Sequence, residues 1–170
     1  PAELTWKAGI DVMSFGATKT GAMAAEAIVF FDDDPHMDTL YRRMRAGHLI
    51  SKSRFIAAQL LAYLENGLWL DLARHANERA KQMAEGLNAL PGIRLAWPVE
   101  ANEVFAVLPV SVHKQMLASG AFYHPWPGAG PVGGHGAGDG EILVRLVTSF
   151  ATKSEQVTDF LALLKKKIQP

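Results

Sequence analysis

Cysteine is absent from the 170 residues, which removes disulfides, thiolate catalysis and cysteine-based zinc sites from consideration. There is no excess charge of either sign, since 17 Lys and Arg balance 17 Asp and Glu. That argues against a basic footprint for nucleic acid and against a polybasic membrane patch. No apolar run reaches the roughly 18 residues that a membrane span needs. The opening "PAELTWKAGI" has neither a basic n-region nor a long apolar stretch. His113, His124 and His135 are too irregularly spaced for a metal site. A cytoplasmic protein without metal is the expectation.

Apolar side chains make up 49% of the sequence, enough for a real core. The length fits about one average domain or two small ones. "AMAAEAIVFFD" has an apolar, partly β-branched centre, Ala27 to Phe31, which reads as a short buried strand. Asp32, Asp33, Asp34 and Pro35 mark a turn or a helix start after it. The preceding "LTWKAGIDVMSFGATKTG" reads as a short mixed segment followed by turn-forming residues.

From about His36 to Leu90 the spacing is helical, with a break expected at Ala46-Gly47-His48. Leu68, Leu72, Ala76, Ala80, Met83 and Leu87 form one amphipathic stripe that stops before Pro91-Gly92. "IRLAWP" and "EVFAVLP" read as strands. "SVHKQMLASG" reads as a helix with Ser111 as N-cap and Gly120 as its stop. "AFYHPW" is extended, "PGAGPVGGHGAGDG" is a glycine-rich loop, and "EILVRLVTSF" is a strand. "SEQVTDFLALLKKKI" is a terminal helix with Ser154 as a cap and lysines placed favourably for the helix dipole. The second half is therefore α+β, a small sheet with helices on it.

Lys19 stands out. Its neighbours are Ser14, Gly16, Ala17, Thr18, Thr20, Gly21 and Ala22, all small, which lets a bulky object approach the backbone closely. A lysine on such a turn suits Schiff-base chemistry, with hydroxyls and amides nearby to meet a phosphate. On residues alone, a structural lysine in a tight turn at a strand edge fits as well. Arg145 is a guanidinium inside an otherwise apolar strand, so it faces either a pocket or solvent. Arg42, Arg43, Arg45, Lys52 and Arg54 form a basic cluster that reads as a solvated helix face or as a phosphate contact. "GAGPVG" from Gly128 lacks a preceding strand and contains Pro131, so it is not a dinucleotide fingerprint. "SVHK" matches an acylating Ser-x-x-Lys pair without its partner motifs.

"SFGATKTGAMAAEAIVFFD" resembles the segment around the pyridoxal phosphate (PLP) lysine of the bacterial low-specificity L-threonine aldolases, within the β-eliminating lyase-like group. "RRMRAGHLISKSRFIAAQLLAYLENGLWLDLARHAN" is similar to the helical stretch that follows in that family, and "EILVRLVTSFATKSEQVTDFL" to its C-terminal strand and helix. The resemblance implies an α/β fold, the C-terminal portion of a PLP-dependent transferase of fold type I. Residues 1–65 would close the large mixed-sheet domain, and residues 66–170 would form the small α+β domain. It implies that Lys19 is the Schiff-base lysine, that Ser14, Thr18 and Lys52 contact the cofactor, and that Arg145 grips the substrate α-carboxylate. The implied reaction is cleavage of L-threonine, L-allo-threonine and related β-hydroxy-α-amino acids to glycine and an aldehyde.

Family members are about twice this length. Their N-terminal half carries the acid that bonds the pyridine nitrogen and the residue that stacks on the ring, and neither is identifiable here. Asp11 lies too near Lys19 to be that acid. The expected partners are therefore an N-terminal half and further copies in a dimer or tetramer. The piece is expected to be inactive alone and to expose apolar surface on the Ala24–Phe31 strand. Other readings remain open: a non-catalytic α/β assembly module, or a serine hydroxymethyltransferase-like enzyme, β-eliminating lyase or aminotransferase.

Overall fold

The computed structural model describes residues 1–32, 37–127 and 136–168. The turn residues Asp33, Asp34 and Pro35, the helix start at His36, the "GAGPVG" motif and His135 lie outside the described residues. The chain divides into two compact units, Pro1–Leu70 and the part from Asp71 onward. Each is described separately.

The first unit opens with short 3-10 turns and a β-hairpin. Strand β1 (Val12–Gly16) pairs antiparallel with β2 (Glu26–Phe30), with Ser14 opposite Ile28 and Gly16 opposite Glu26. The sequence suggested turn residues where β1 lies. Small Ser14 and Gly16 dilute its signal, but Val12–Gly16 is ordered as a strand by pairing across the hairpin. The strand expected at Ala27–Phe31 is present as β2 but is not buried, and it shows apolar surface as expected of this piece. In this unit β2 has β1 as its sheet neighbour, and Ile28 stays 62% exposed. Trp6 packs its ring 5.6 Å from that of Phe31 at the open end of the hairpin.

Helices α1 (Met37–Arg45) and α2 (Ser53–Leu64) follow, separated where the sequence predicts a break. Gly47 has φ +74°, a left-handed conformation that costs glycine little. His48 N–H donates to Arg43 C=O at 3.0 Å and Gly47 N–H donates to Met44 C=O at 3.1 Å, the paired bonds of a Schellman stop. Helix α1 buries no residue, and Leu40, Met44, Leu49 and Phe55 are all more than half exposed. Helix α3 (Leu68–Asn88) begins at the end of this unit.

The second unit is a four-stranded antiparallel sheet in the order β3-β4-β6-β5. Its strands are β3 (Arg94–Leu95), β4 (Glu103–Pro109), β5 (His124–Pro125) and β6 (Glu141–Val147). Alternation sorts its faces. Val104, Ala106, Leu108, Val144 and Leu146 join Ala80, Met83 and Leu87 of α3 in the core. Met116 of α4 (Val110–Ala118) and Val157 and Leu164 of α5 (Ser154–Ile168) complete it. The stripe read from sequence on α3 is thus its core face from Ala76 to Leu87.

Two expected caps are not used. Ser111 is inside α4, whose N-cap is Pro109 with no side-chain cap bond. Ser154 is the first residue of α5, and its hydroxyl donates to Gln82 Oε1 at 3.1 Å. Gln156 Oε1 instead accepts from Lys153 N–H at 2.8 Å, the backward half of a capping box. Position in the chain, not residue type, decided these ends: a hydroxyl one step inside a helix is misplaced for its free N–H groups.

Candidate active site

Lys19 lies in the connection of the β1–β2 hairpin. The ladder continues one step past the strands, because Ala17 N–H donates to Ala25 C=O at 2.9 Å. Ala17 and Ala25 are buried at 0% and 2% exposure, so the base of this loop is closed. Thr18 Oγ1 accepts from Ala25 N–H at 3.0 Å and donates to Ala25 C=O at 3.4 Å. Thr20 Oγ1 donates to Ala17 C=O at 3.3 Å and meets the Tyr63 hydroxyl at 2.5 Å. Gln59 Oε1 accepts from Met23 N–H at 2.9 Å and from Ala24 N–H at 3.1 Å. The lysine is thus bracketed by two tethered threonines. Its own amine is exposed and has no hydrogen bond or ion pair among the described residues.

Ser14 is exposed on β1, on the face away from Phe15, and its hydroxyl makes no hydrogen bond among the described residues. Phe15 points the other way, with its ring 6.0 Å from Tyr63 and 5.7 Å from Trp69. Lys19 has an unpartnered amine and Ser14 an unpartnered hydroxyl among the described residues, the kinds of group that would meet the aldehyde and the phosphate of PLP. Thr18 is different, since its hydroxyl is engaged in closing the loop. Lys52 is the exposed N-cap residue of α2 and makes no side-chain cap bond. It lies about 10 Å along the helix from Gln59, at about 1.5 Å per residue. No described contact joins it to the Lys19 loop.

Arg145 belongs to the second unit. Strand alternation buries Val144 and Leu146 in the core and turns Arg145 to the opposite face. Antiparallel register sets Phe105 beside it on β4 and His124 beside it on β5. Its guanidinium carbon is 4.9 Å from the Trp126 ring centroid, and a terminal nitrogen is 3.4 Å from Glu103 Oε1. Phe105 meets Trp97 edge-on at 4.8 Å and Trp126 at 5.3 Å. Trp97, Glu103, Phe105 and Trp126 line an open concavity of about 510 Å³. The arginine side chain keeps 33% of its exposure, so its fork is accessible to an anion.

Farther along the same face, Glu141 accepts from Gly138 N–H at 2.8 Å and from Arg94 at 2.6 Å. The Gly138 bond first, and then the Arg94 bond, hold its carboxyl below the usual carboxylate range. His113 Nδ1 lies 3.2 Å from the Tyr123 hydroxyl inside the unit. Burial lowers the His113 pKa, with Lys114 adding to the effect, and pushes Tyr123 up to about 12.

The sequence did not point to Gln59, Tyr63, Glu103 or Trp126. A polar pair at i and i+4 on an otherwise apolar helix, and a tryptophan in a Pro-rich stretch, were the available signals.

The beta-eliminating lyase family model matches residues 1–110, and the chain belongs to that family. It is 45% identical over 130 residues to a low specificity L-threonine aldolase of Pseudomonas aeruginosa, covering 76% of this chain and 38% of that protein. Identity to the enzyme of the same name from a Pseudomonas sp. is 43% over 130 residues, again 76% of this chain and 38% of the relative. The chain thus spans about two fifths of the length of these curated relatives. Among solved structures, threonine aldolase from Leishmania major superposes with a TM-score of 0.79 at 29% identity, covering 94% of this chain and 44% of that one. Serine palmitoyltransferase of Sphingomonas wittichii gives 0.63 at 14% identity, covering 95% and 40%, a likeness of fold alone. The architecture is a portion of the α/β, fold-type-I fold of PLP-dependent transferases.

Proposed function

We propose that this chain is part of a PLP-dependent aldolase that cleaves L-threonine, L-allo-threonine and related β-hydroxy-α-amino acids to glycine and an aldehyde. The observation that carries this reading is the unpartnered amine of Lys19 on a hairpin loop whose other polar side chains are tethered. Identity of 45% to a low specificity L-threonine aldolase supports the choice of reaction.

In this reading Lys19 is the nucleophile that attaches the cofactor, and it must release its proton to do so. Bound PLP supplies an electron sink for the pair released at the substrate α-carbon. Ser14 would hydrogen-bond the phosphate through its hydroxyl. Thr18 contributes through the loop it closes, and Lys52 contributes positive charge toward the phosphate of a neighbouring subunit. Arg145 binds the substrate α-carboxylate through its planar fork, displacing the contact to Glu103. Trp126 stacks on the guanidinium and limits its freedom.

The two units correspond in this reading to the end of the large domain and to the small domain. An N-terminal half and further copies of the chain complete the enzyme. The exposed apolar side chains of β2, α1 and α2 support that, since such surface expects cover. The experiment is aldol cleavage of L-threonine by the assembled enzyme, followed as glycine and acetaldehyde. Cleavage that Lys19→Ala abolishes supports the reading. Transamination or β-elimination in its place redirects it to another PLP enzyme, and unchanged cleavage in Lys19→Ala contradicts it.

A further inference from the structure

We propose that Gln59 and Tyr63 are positioning residues for Lys19, an inference that rests on the reading of Lys19 as the cofactor lysine. They are one helical turn apart on α2 and so share one face of it. Each reaches the lysine loop at a different place. Gln59 Oε1 accepts from both Met23 N–H and Ala24 N–H on the descending limb. Tyr63, 7% exposed, meets Thr20 at 2.5 Å on the residue next to the lysine. Either hydroxyl can donate in that contact, and in both cases it ties the residue next to the lysine to the α2 face.

Both groups are themselves held. Gln59 Nε2 donates to Phe55 C=O at 3.2 Å, which fixes the amide so that its oxygen faces the loop. The Tyr63 ring packs against Phe15, the last large side chain of β1 before the loop. The consequence is a division of labour. Thr18, Thr20, Met23 and Ala24 are bound, and the amine between the threonines has no partner and is available for chemistry. A loop of small residues has little packing of its own to define one backbone path. Bonds from a helix supply that definition, and a misplaced reactive group loses much of its rate advantage.

The test uses the assembled enzyme and two readouts. The first is amide hydrogen exchange of the peptide spanning residues 17–25. The second is the rate at which PLP becomes trapped on Lys19 by borohydride, mapped by peptide mass. Gln59→Leu removes the acceptor. Gln59→Glu keeps an oxygen in its place. Tyr63→Phe keeps the ring and removes the hydroxyl. We expect Tyr63→Phe to speed exchange and slow trapping by about tenfold, the scale of one lost hydrogen bond, and Gln59→Leu, which loses two, to do so by at least about tenfold. Gln59→Glu should restore both. Faster exchange with unchanged trapping in Gln59→Leu and Tyr63→Phe would mean that the contacts are structural alone, and would overturn the inference. No trapping on wild-type Lys19 would instead overturn the cofactor reading, and the inference with it.

Discussion

Arg145 holds its guanidinium 4.9 Å over the ring of Trp126, with Glu103 at 3.4 Å as a carboxylate partner. The stack and the exchangeable ion pair describe an arginine oriented but not used up. A single partly exposed pair of this kind is screened by solvent and adds little to stability, so it can yield to a better anion.

On the proposed reading of Arg145 as the residue that binds the substrate carboxylate, a prediction on substrate binding follows. Arg145→Lys keeps the charge and removes the planar fork. It should raise KM for L-threonine by about tenfold or more, the loss of one charge-assisted bond of a bidentate pair. Trp126→Leu should raise KM by about threefold to tenfold, in the range of a partly desolvated cation–π contact. Arg145→Lys should leave the melting temperature nearly unchanged, while Trp126→Leu should lower it somewhat through its lost edge contact with Phe105. Steady-state kinetics with parallel thermal unfolding check this. Equal losses in KM and stability would contradict the role given to the stack.

Core packing of the second unit can be tested independently of the chemistry. Leu87 is fully buried at 0% exposure against both the sheet and α5. Leu87→Ala should cost about 2–5 kcal/mol, through lost transfer energy and the cavity left behind. Denaturant unfolding measures this directly. A loss below about 1 kcal/mol would mean that α3 is not packed on the sheet in solution as described.

Stability should fall at both pH extremes through the buried His113–Tyr123 pair. The His113 pKa is lowered from 6.5 in the folded state, mainly by burial. The unfolded chain therefore binds more protons below that value, and stability is lost as pH falls from about 6.5 toward the lowered folded pKa. Tyr123 is raised from 10.0 to about 12. Here the folded state holds the proton longer, so stability is lost as pH rises above about 10. Melting curves across pH report both limbs. His113→Gln should flatten the acid limb, and Tyr123→Phe the alkaline one.

Legibility followed locality. Helix α3 could be read because its stripe repeats with the helical period and its core face matches that stripe. The break at Gly47 could be read because a glycine stop is a local device. Arg145 was visible as a guanidinium flanked by apolar residues in a strand, and Lys19 as a single charge among small residues. Their surroundings were not visible. Trp126 and Glu103 reach Arg145 through the register of β4, β6 and β5, which sequence spacing does not encode. Gln59 and Tyr63 reach the lysine loop across a separation of up to 43 residues. Strand β1 was missed because Ser14 and Gly16 carry little strand preference and its order comes from the partner strand.

Borohydride reduction of the PLP-loaded enzyme, followed by peptide mapping, asks directly whether Lys19 carries the cofactor. A reduced pyridoxyl group on Lys19 and loss of the visible absorbance band on reduction are expected. In Lys19→Ala both should be absent while the fold is kept, since an exposed residue without partners contributes within about 0.5 kcal/mol. A pyridoxyl group on another lysine, or none at all in folded and fully assembled wild-type enzyme, would contradict the account.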